Sequence, residues 1–303
     1  MQKNVLRRVN NGAGLRKLAR LLPALILAAL MAVSCIHSPV PPSRSQDSSG
    51  QTAPGYSEED ALPDEDSGEP EEEPPYGEPV PPGAELLERL SQHFPVGDPK
   101  GWLTLPSTTI NNAVMYNPDD NEYYLDQRIS YAGKFDNVGV IFADYRNTLG
   151  SRRELSRNTI LYGHNVELFG FFGQLFSQLL RYQDVKFATE NQFISFSTAQ
   201  DEMAWQVFAA FTTDTDFYYI EPNPTDDELM FIVSEACQRS DFFFDTEVSA
   251  GDKILTLSTC TYKYGLRKDQ RFVVMAKLLP GTDAHEPVTV LVNENKKLPS
   301  FVK

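Results

Sequence analysis

The feature that most constrains this chain is a series of short apolar runs, separated by turns, across its last two thirds. The runs cover residues 102–105, 113–115, 138–142, 159–162, 193–196, 205–212, 254–259 and 272–278. Runs of this length, bounded by turn-forming residues, suit β-strands. No strand–helix–strand alternation accompanies them, which argues against a doubly wound parallel sheet. The pattern predicts a mainly β protein, a mixed or antiparallel barrel or sandwich, with residues 288–292 as a further edge strand. A short helix over residues 84–90 opens the region, and a second helix is expected over 171–181. A third starts at Thr225-Asp226-Asp227-Glu228, where Thr225 can cap the helix and Glu228 can return the bond. Leu229, Ile232, Val233 and Ala236 then recur at helical spacing, so one face of that helix is buried. The last two helices are expected on the outside of a β core.

Charge divides the chain more sharply than its total of −15 conveys. Residues 1–44 carry seven bases and no acid, residues 45–84 carry twelve acids and no base, and residues 85–303 carry −10. No basic cluster lies in the strand-rich part, so nucleic acid is excluded as a partner, because phosphate binding needs grouped Lys and Arg. Behind the basic segment runs a 16-residue apolar stretch, Leu21 to Ile36. That order is an export signature. The stretch is shorter than the ~20 residues of a spanning helix, but Leu15, Leu18 and Ala19 extend it while Lys17 and Arg20 snorkel towards headgroups. Its positive flank predicts a cytoplasmic N-terminus and an exported remainder at the cell membrane. Small residues around Ser34 also fit cleavage, and Cys35 fits lipid attachment; an uncleaved anchor is the reading adopted. Residues 38–83 hold eleven of the 21 prolines as well as the acidic run. Missing backbone donors and like-charge repulsion make this stretch an extended stalk. The expected organisation is therefore a basic segment and anchor over 1–37, a stalk over 38–83 and a folded domain over 84–303.

Chemistry-bearing residues are few. Of three cysteines, an odd number in an exported chain points away from a disulfide framework and towards a free thiol. Cys35 belongs to the export segment, and Cys237 follows the buried stripe of the third helix as core filler. Cys260 differs, since it ends the run 254–259 where the chain leaves the sheet for a polar loop. A thiol there is partly exposed and open to activation by a nearby cation. Of four histidines, His37, His93 and His285 read as bystanders. His164 ends another strand through Gly163, whose backbone freedom suits a bend. Arg271 opens the run after the Cys260 loop, so a hairpin would set it on the neighbouring strand. Such a Cys–His–Arg set can attack a carbonyl, protonate a leaving amine and stabilise an oxyanion. Spacing alone leaves open that these are merely three polar residues at strand ends.

The segments Asn158-Thr159-Ile160-Leu161-Tyr162-Gly163-His164-Asn165 and Leu255-Thr256-Leu257-Ser258-Thr259-Cys260-Thr261-Tyr262, with Arg271-Phe272-Val273-Val274-Met275, closely resemble a sortase of class B. Gly101-Trp102-Leu103, Asp120-Asn121-Glu122 and Ile141-Phe142-Ala143-Asp144-Tyr145-Arg146-Asn147 support the likeness, which covers about residues 84–280. It implies a closed eight-stranded β-barrel with an N-terminal helix and a long helix before the cysteine strand. It implies a cell-surface cysteine transpeptidase that cleaves a C-terminal sorting signal after Thr and passes the acyl group to an amine of a peptidoglycan precursor or a pilin. By the same likeness Cys260 is the nucleophile, His164 the general acid/base and Arg271 the oxyanion or substrate stabiliser, with Arg267 the competitor for that role. Ser258, Thr259, Tyr219, Ile220 and Leu125 are then the substrate-binding residues. No metal or other cofactor is implied. Pilin polymerisation, or a surface barrel that binds peptide or wall without chemistry, stays as the alternative.

Overall fold

The computed structural model describes residues 87–88, 98–127, 131, 138–166, 173–281 and 285–302. The apolar stretch 21–36, the stalk and most of the helix expected at 84–90 lie outside the described residues. Among those described, no helix is long and apolar enough to cross a membrane.

Eight strands form the core: β1 (Asp98–Thr104), β2 (Asn111–Tyr116), β3 (Ile141–Ala143), β4 (Asn158–Tyr162), β5 (Phe193–Thr198), β6 (Ala204–Asp214), β8 (Ile254–Cys260) and β9 (Gln270–Leu278). They close into a barrel in the order β1-β2-β3-β4-β8-β9-β6-β5. Each coincides with one of the eight apolar runs. The barrel is mixed: β2 pairs with β3, and β4 with β8, in parallel, while the other neighbours are antiparallel. Closure removes exposed edges, which suits a sheet whose strands are buried on both faces. Alternation sorts the side chains. Leu255, Leu257, Phe272, Val274 and Ala276 point into the barrel, while Ile254, Val273 and Met275 point outwards into a second cluster.

Helix α1 (Glu122–Gln127) follows β2. The helix expected over 171–181 is instead a 3-10 helix, Leu175–Gln183, continued by α2 (Val185–Glu190). The offset has local causes. Leu175 takes a left-handed φ of 47° at the entry, and Asp184 breaks the run by accepting from Phe187 N as the cap of α2. Helix α3 (Asp226–Arg239) has the expected capping box, with Thr225 accepting from Glu228 N and the Glu228 carboxylate accepting from Thr225 N. Its Leu229, Ile232 and Val233 pack on Phe208, Phe211 and Met275 of the outer sheet face. Burying each contributes roughly 1.5–3 kcal/mol. Cys237 is buried on that stripe, as expected of core filler.

The run 288–292 forms β10 (Val290–Val292), which pairs with β7 (Phe242–Phe244) rather than with the barrel. Three consecutive phenylalanines show no alternation, which hides β7 in the sequence.

Removing the cap bond gives a direct test of the α3 assignment. Thr225→Ala should cost about 1 kcal/mol and lower the thermal midpoint by roughly 2–4 °C for a domain of this size. An unchanged midpoint in a calorimetric scan would show that the cap contributes nothing.

Candidate active site

The site is built where β4 and β8 end and β9 begins. The last ladder pair between β4 and β8 is Tyr162↔Ser258. Two side-chain bonds carry that alignment past the strand ends: Thr259 Oγ1 donates to Gly163 O at 2.8 Å, and Asn165 Nδ2 donates to Cys260 O at 3.0 Å. Two steps beyond Tyr162 and Ser258 stand His164 and Cys260, on neighbouring strands that lie ~4.8 Å apart. In the antiparallel β8–β9 pair, Cys260 is directly opposite Arg271, so both side chains share a face. That face is the outer one, since Cys260 and Arg271 have the same parity as Ile254, Val273 and Met275.

Two glycines make room for this arrangement. A Cβ on Gly139, whose φ is +69°, would lie 2.9 Å from His164 Cδ2. At Gly163 a Cβ would meet the Phe176 ring at 2.7 Å. Gly163 is thus required for close approach rather than for unusual backbone freedom.

His164, Cys260 and Arg271 line one cavity of about 270 Å³. The strands add Phe142, Tyr162, Gly163, Ser258 and Thr259; the connection from β6 to α3 adds Thr215, Phe217, Tyr218, Tyr219 and Ile220; α1 and the residue before it add Leu125 and Asn121. All five residues expected from the resemblance to bind substrate therefore reach the cavity, but in different ways. Leu125 is 47% exposed, whereas Ser258, Thr259 and Tyr219 are buried. The Tyr219 hydroxyl is bonded to Ser258 Oγ at 2.8 Å, while its ring packs with Phe211 and Phe217 under α3. Burial pushes the Tyr219 phenol up to about 12, with Ser258 and Arg271 pulling the other way. The phenol is therefore neutral at ordinary pH.

Arg271 Nη1 donates to the carbonyls of Lys268 and Gln270 at 2.8 and 2.9 Å, which holds the guanidinium at the strand start. Arg267 is committed elsewhere: it pairs with Asp269 and stacks on Phe301, and it does not line the cavity. Among the described residues no cluster of His, Cys, Asp and Glu could hold a metal ion.

In the sequence, the stretch 141–147 supports the resemblance, but no role attaches to its residues. The structure supplies one. The Asp144 carboxylate, fully buried, accepts five hydrogen bonds: from Arg146 Nε, Nη2 and N, from the Tyr162 hydroxyl and from Asn121 Nδ2. Arg146 then donates to the Tyr218 hydroxyl at 3.0 Å and to Ile220 O at 2.8 Å. One carboxylate thereby ties together the α1 side of the cavity, the β4 strand and the β6–α3 connection. Burial alone would raise the Asp144 pKa, but the bonds from Arg146 and Tyr162 hold it below the ordinary 3.8. Asn158 adds a second tie, donating to Tyr219 O and Glu221 O.

A depressed carboxylate pKa stabilises the fold above its ordinary value and loses that stabilisation as pH falls through the depressed value. Asp144→Asn should therefore lose roughly 2–3 kcal/mol in urea unfolding at pH 7. The gap to wild type should narrow as the pH drops below the ordinary carboxylate value of 3.8. A gap independent of pH would refute the charged hub.

Similarities to known proteins accompany this geometry. A family model described as a sortase domain matches residues 103–279. Sortase B of Listeria monocytogenes is 36% identical over 185 residues, covering 60% of this chain and 70% of that protein. Sortase B of Staphylococcus aureus is 30% identical over 205 residues, covering 67% and 78%. The solved Staphylococcus aureus sortase B–substrate complex aligns at a TM-score of 0.56 and 31% identity, over 66% of this chain and 86% of that one. With more than half its length matched by the family model, and an eight-stranded barrel shared with these relatives, the chain belongs to the sortase family of cysteine transpeptidases.

Proposed function

We propose that Cys260 is the nucleophile, His164 the general acid/base and Arg271 the oxyanion stabiliser of a transpeptidase that cleaves a sorting signal after Thr. The observation that carries this reading is the common cavity lined by those three side chains at the ends of β4, β8 and β9. The thiolate attacks the Thr carbonyl carbon, and negative charge develops on its oxygen beside the Arg271 guanidinium. Electrostatic stabilisation of this kind acts on charge that appears only in the transition state, and in acyl transfer it often outweighs every other source of rate enhancement. The C–N bond breaks as the imidazolium of His164 gives its proton to the leaving amine, which leaves a thioester on Cys260. An acceptor amine then attacks the thioester, the Cys260 thiolate leaves and His164 takes up the amine proton, which restores the starting thiolate–imidazolium pair.

The cavity suits an extended peptide with an apolar side chain. Leu125, Tyr218 and Ile220 offer apolar contacts, while Ser258 and Tyr219 offer polar atoms. The Thr259 hydroxyl is engaged with Gly163, so Thr259 serves the substrate through its position in the strand. Acceptors of this chain are amines of a peptidoglycan precursor or of a pilin.

Residues 1–37 anchor the protein with the N-terminus in the cytoplasm, 38–83 form the stalk, and the domain from 84 on works outside the membrane. The support is the charge order of the sequence together with the surface association of the family.

Incubation with a pool of Thr-containing sorting peptides, without an acceptor, should trap an acyl-enzyme visible by intact mass. Cys260→Ala should abolish that adduct and lower cleavage by at least about 10³-fold. An adduct that persists in Cys260→Ala, or a wild type that binds peptide without forming one, sinks the mechanism. For the topology, protease added to intact cells should release the domain by cutting within residues 45–84. Full protection of that stretch would contradict an outward-facing domain.

A further inference from the structure

The sortase-domain match ends at residue 279, yet the chain continues and reaches the connection between β8 and β9. After β10, Asn293 N donates to Asp241 O and Asn293 Nδ2 to Ser240 O, both at 3.0 Å. Lys296 then pairs with Asp241 at 2.7 Å, and Lys297 with Glu235 at 2.7 Å, which runs the tail along the C-terminal end of α3. Ser300 Oγ donates to Asp216 Oδ2 at 3.3 Å, and Ser300 N donates to Asp214. Asp214 is the β6 residue paired with Gln270 of β9. Phe301 then lies against the connection between β8 and β9: its ring is 6.1 Å from the Tyr264 ring, edge to face, and 4.1 Å from the Arg267 guanidinium.

That connection, residues 261–269, joins Cys260 to the strand that Arg271 opens. Its tip is solvated, with Leu266 92% exposed, so few apolar contacts of its own restrain it. Its inner side is held by Gln270, which accepts from Tyr264 N and donates to Gly265 O. Arg271 in turn is fixed by carbonyls of Lys268 and Gln270. A continuous set of contacts therefore runs from Phe301 through Tyr264 and Gln270 to the Arg271 guanidinium.

We propose that the C-terminal tail is a strap and that Phe301 is a positioning residue for Arg271, acting by clamping the β8–β9 connection. The activity arm of the test rests on the transpeptidase reading, whereas the exchange arm does not. Loops with few buried contacts open locally at small cost, so loss of the clamp should show there and not in the barrel.

The test compares full-length Phe301→Ala and Phe301→Trp with the wild type. In Phe301→Ala, amide hydrogen exchange over residues 261–270 should accelerate by about tenfold, with β4 and β6 unchanged. Its kcat for sorting-peptide cleavage should fall by roughly fivefold with KM little altered, because Arg271 acts on charge that develops in the transition state. Phe301→Trp, which keeps an aromatic face for Arg267, should restore both. The strap is overturned if exchange over 261–270 is unchanged. It is overturned equally if exchange quickens throughout the barrel, if kcat stays constant while the loop loosens, or if Trp fails to rescue. Should the wild type form no acyl-enzyme at all, the site reading fails on its own, and exchange over 261–270 still decides whether the tail clamps the loop.

Discussion

The parallel pairing of β4 with β8 is the constraint on which the rest of this molecule depends. It brings together two segments almost a hundred residues apart, and parallel neighbours require a long crossover connection. Here that crossover holds the 3-10 helix, α2, β5, β6, α3 and β7. The pairing register is not free to slip, because a one-residue shift would turn Leu255 and Leu257 out of the barrel and Ile254 into it. Core packing therefore dictates which residue of β4 meets which residue of β8. Since His164 and Cys260 lie two steps past the last ladder pair, the register that buries the leucines also brings both residues to one cavity. The β8–β9 hairpin adds Arg271 opposite Cys260 by the same logic. The site is a consequence of barrel closure.

Strand ends bring Cys260 and Arg271 to the cavity, and irregular segments supply much of its wall. Such walls need their own restraint, because connections without a hydrogen-bond ladder hold shape only through side chains. Asp144 meets that need on one side. A buried carboxylate is costly unless its oxygens are fully bonded, and the five donors that satisfy it come from three parts of the chain. Its own solvation demand thus becomes the force that gathers α1, β4 and, through Arg146, the β6–α3 connection. On the other side the β8–β9 connection takes its restraint from Gln270 within and from Phe301 without. A barrel with restraint on both sides of the cavity holds His164, Cys260 and Arg271 within fixed walls.

Much of this was legible in the order of residues. Short apolar runs bounded by turns coincided with all eight barrel strands, because strands buried on both faces read as nearly continuous hydrophobic stretches. Thr225 and Glu228 marked the start of α3, because capping is a contact between residues three apart. His164, Cys260 and Arg271 stood out as reactive types at strand ends. What escaped depended on contacts between distant segments. β7 has no alternation, and β10 found it as a partner instead of a barrel edge. Asp144 and Arg146 were visible only as part of a motif, since nothing local distinguishes a buried hub from a solvated ion pair. Gly163 looked like a hinge and proved to be a clearance for Phe176.

By itself, then, the sequence determined the strands, the cap, the charge partition of the first 84 residues and the kinds of group available for chemistry. These are properties of neighbours along the chain, governed by periods of two and 3.6 residues and by local charge. Only the tertiary structure decided that β4 lies beside β8, that one carboxylate joins three cavity segments and that the tail returns to brace the Arg271 loop. Those outcomes follow from the packing of a closed barrel, in which burial and register act on residues that the linear order keeps far apart.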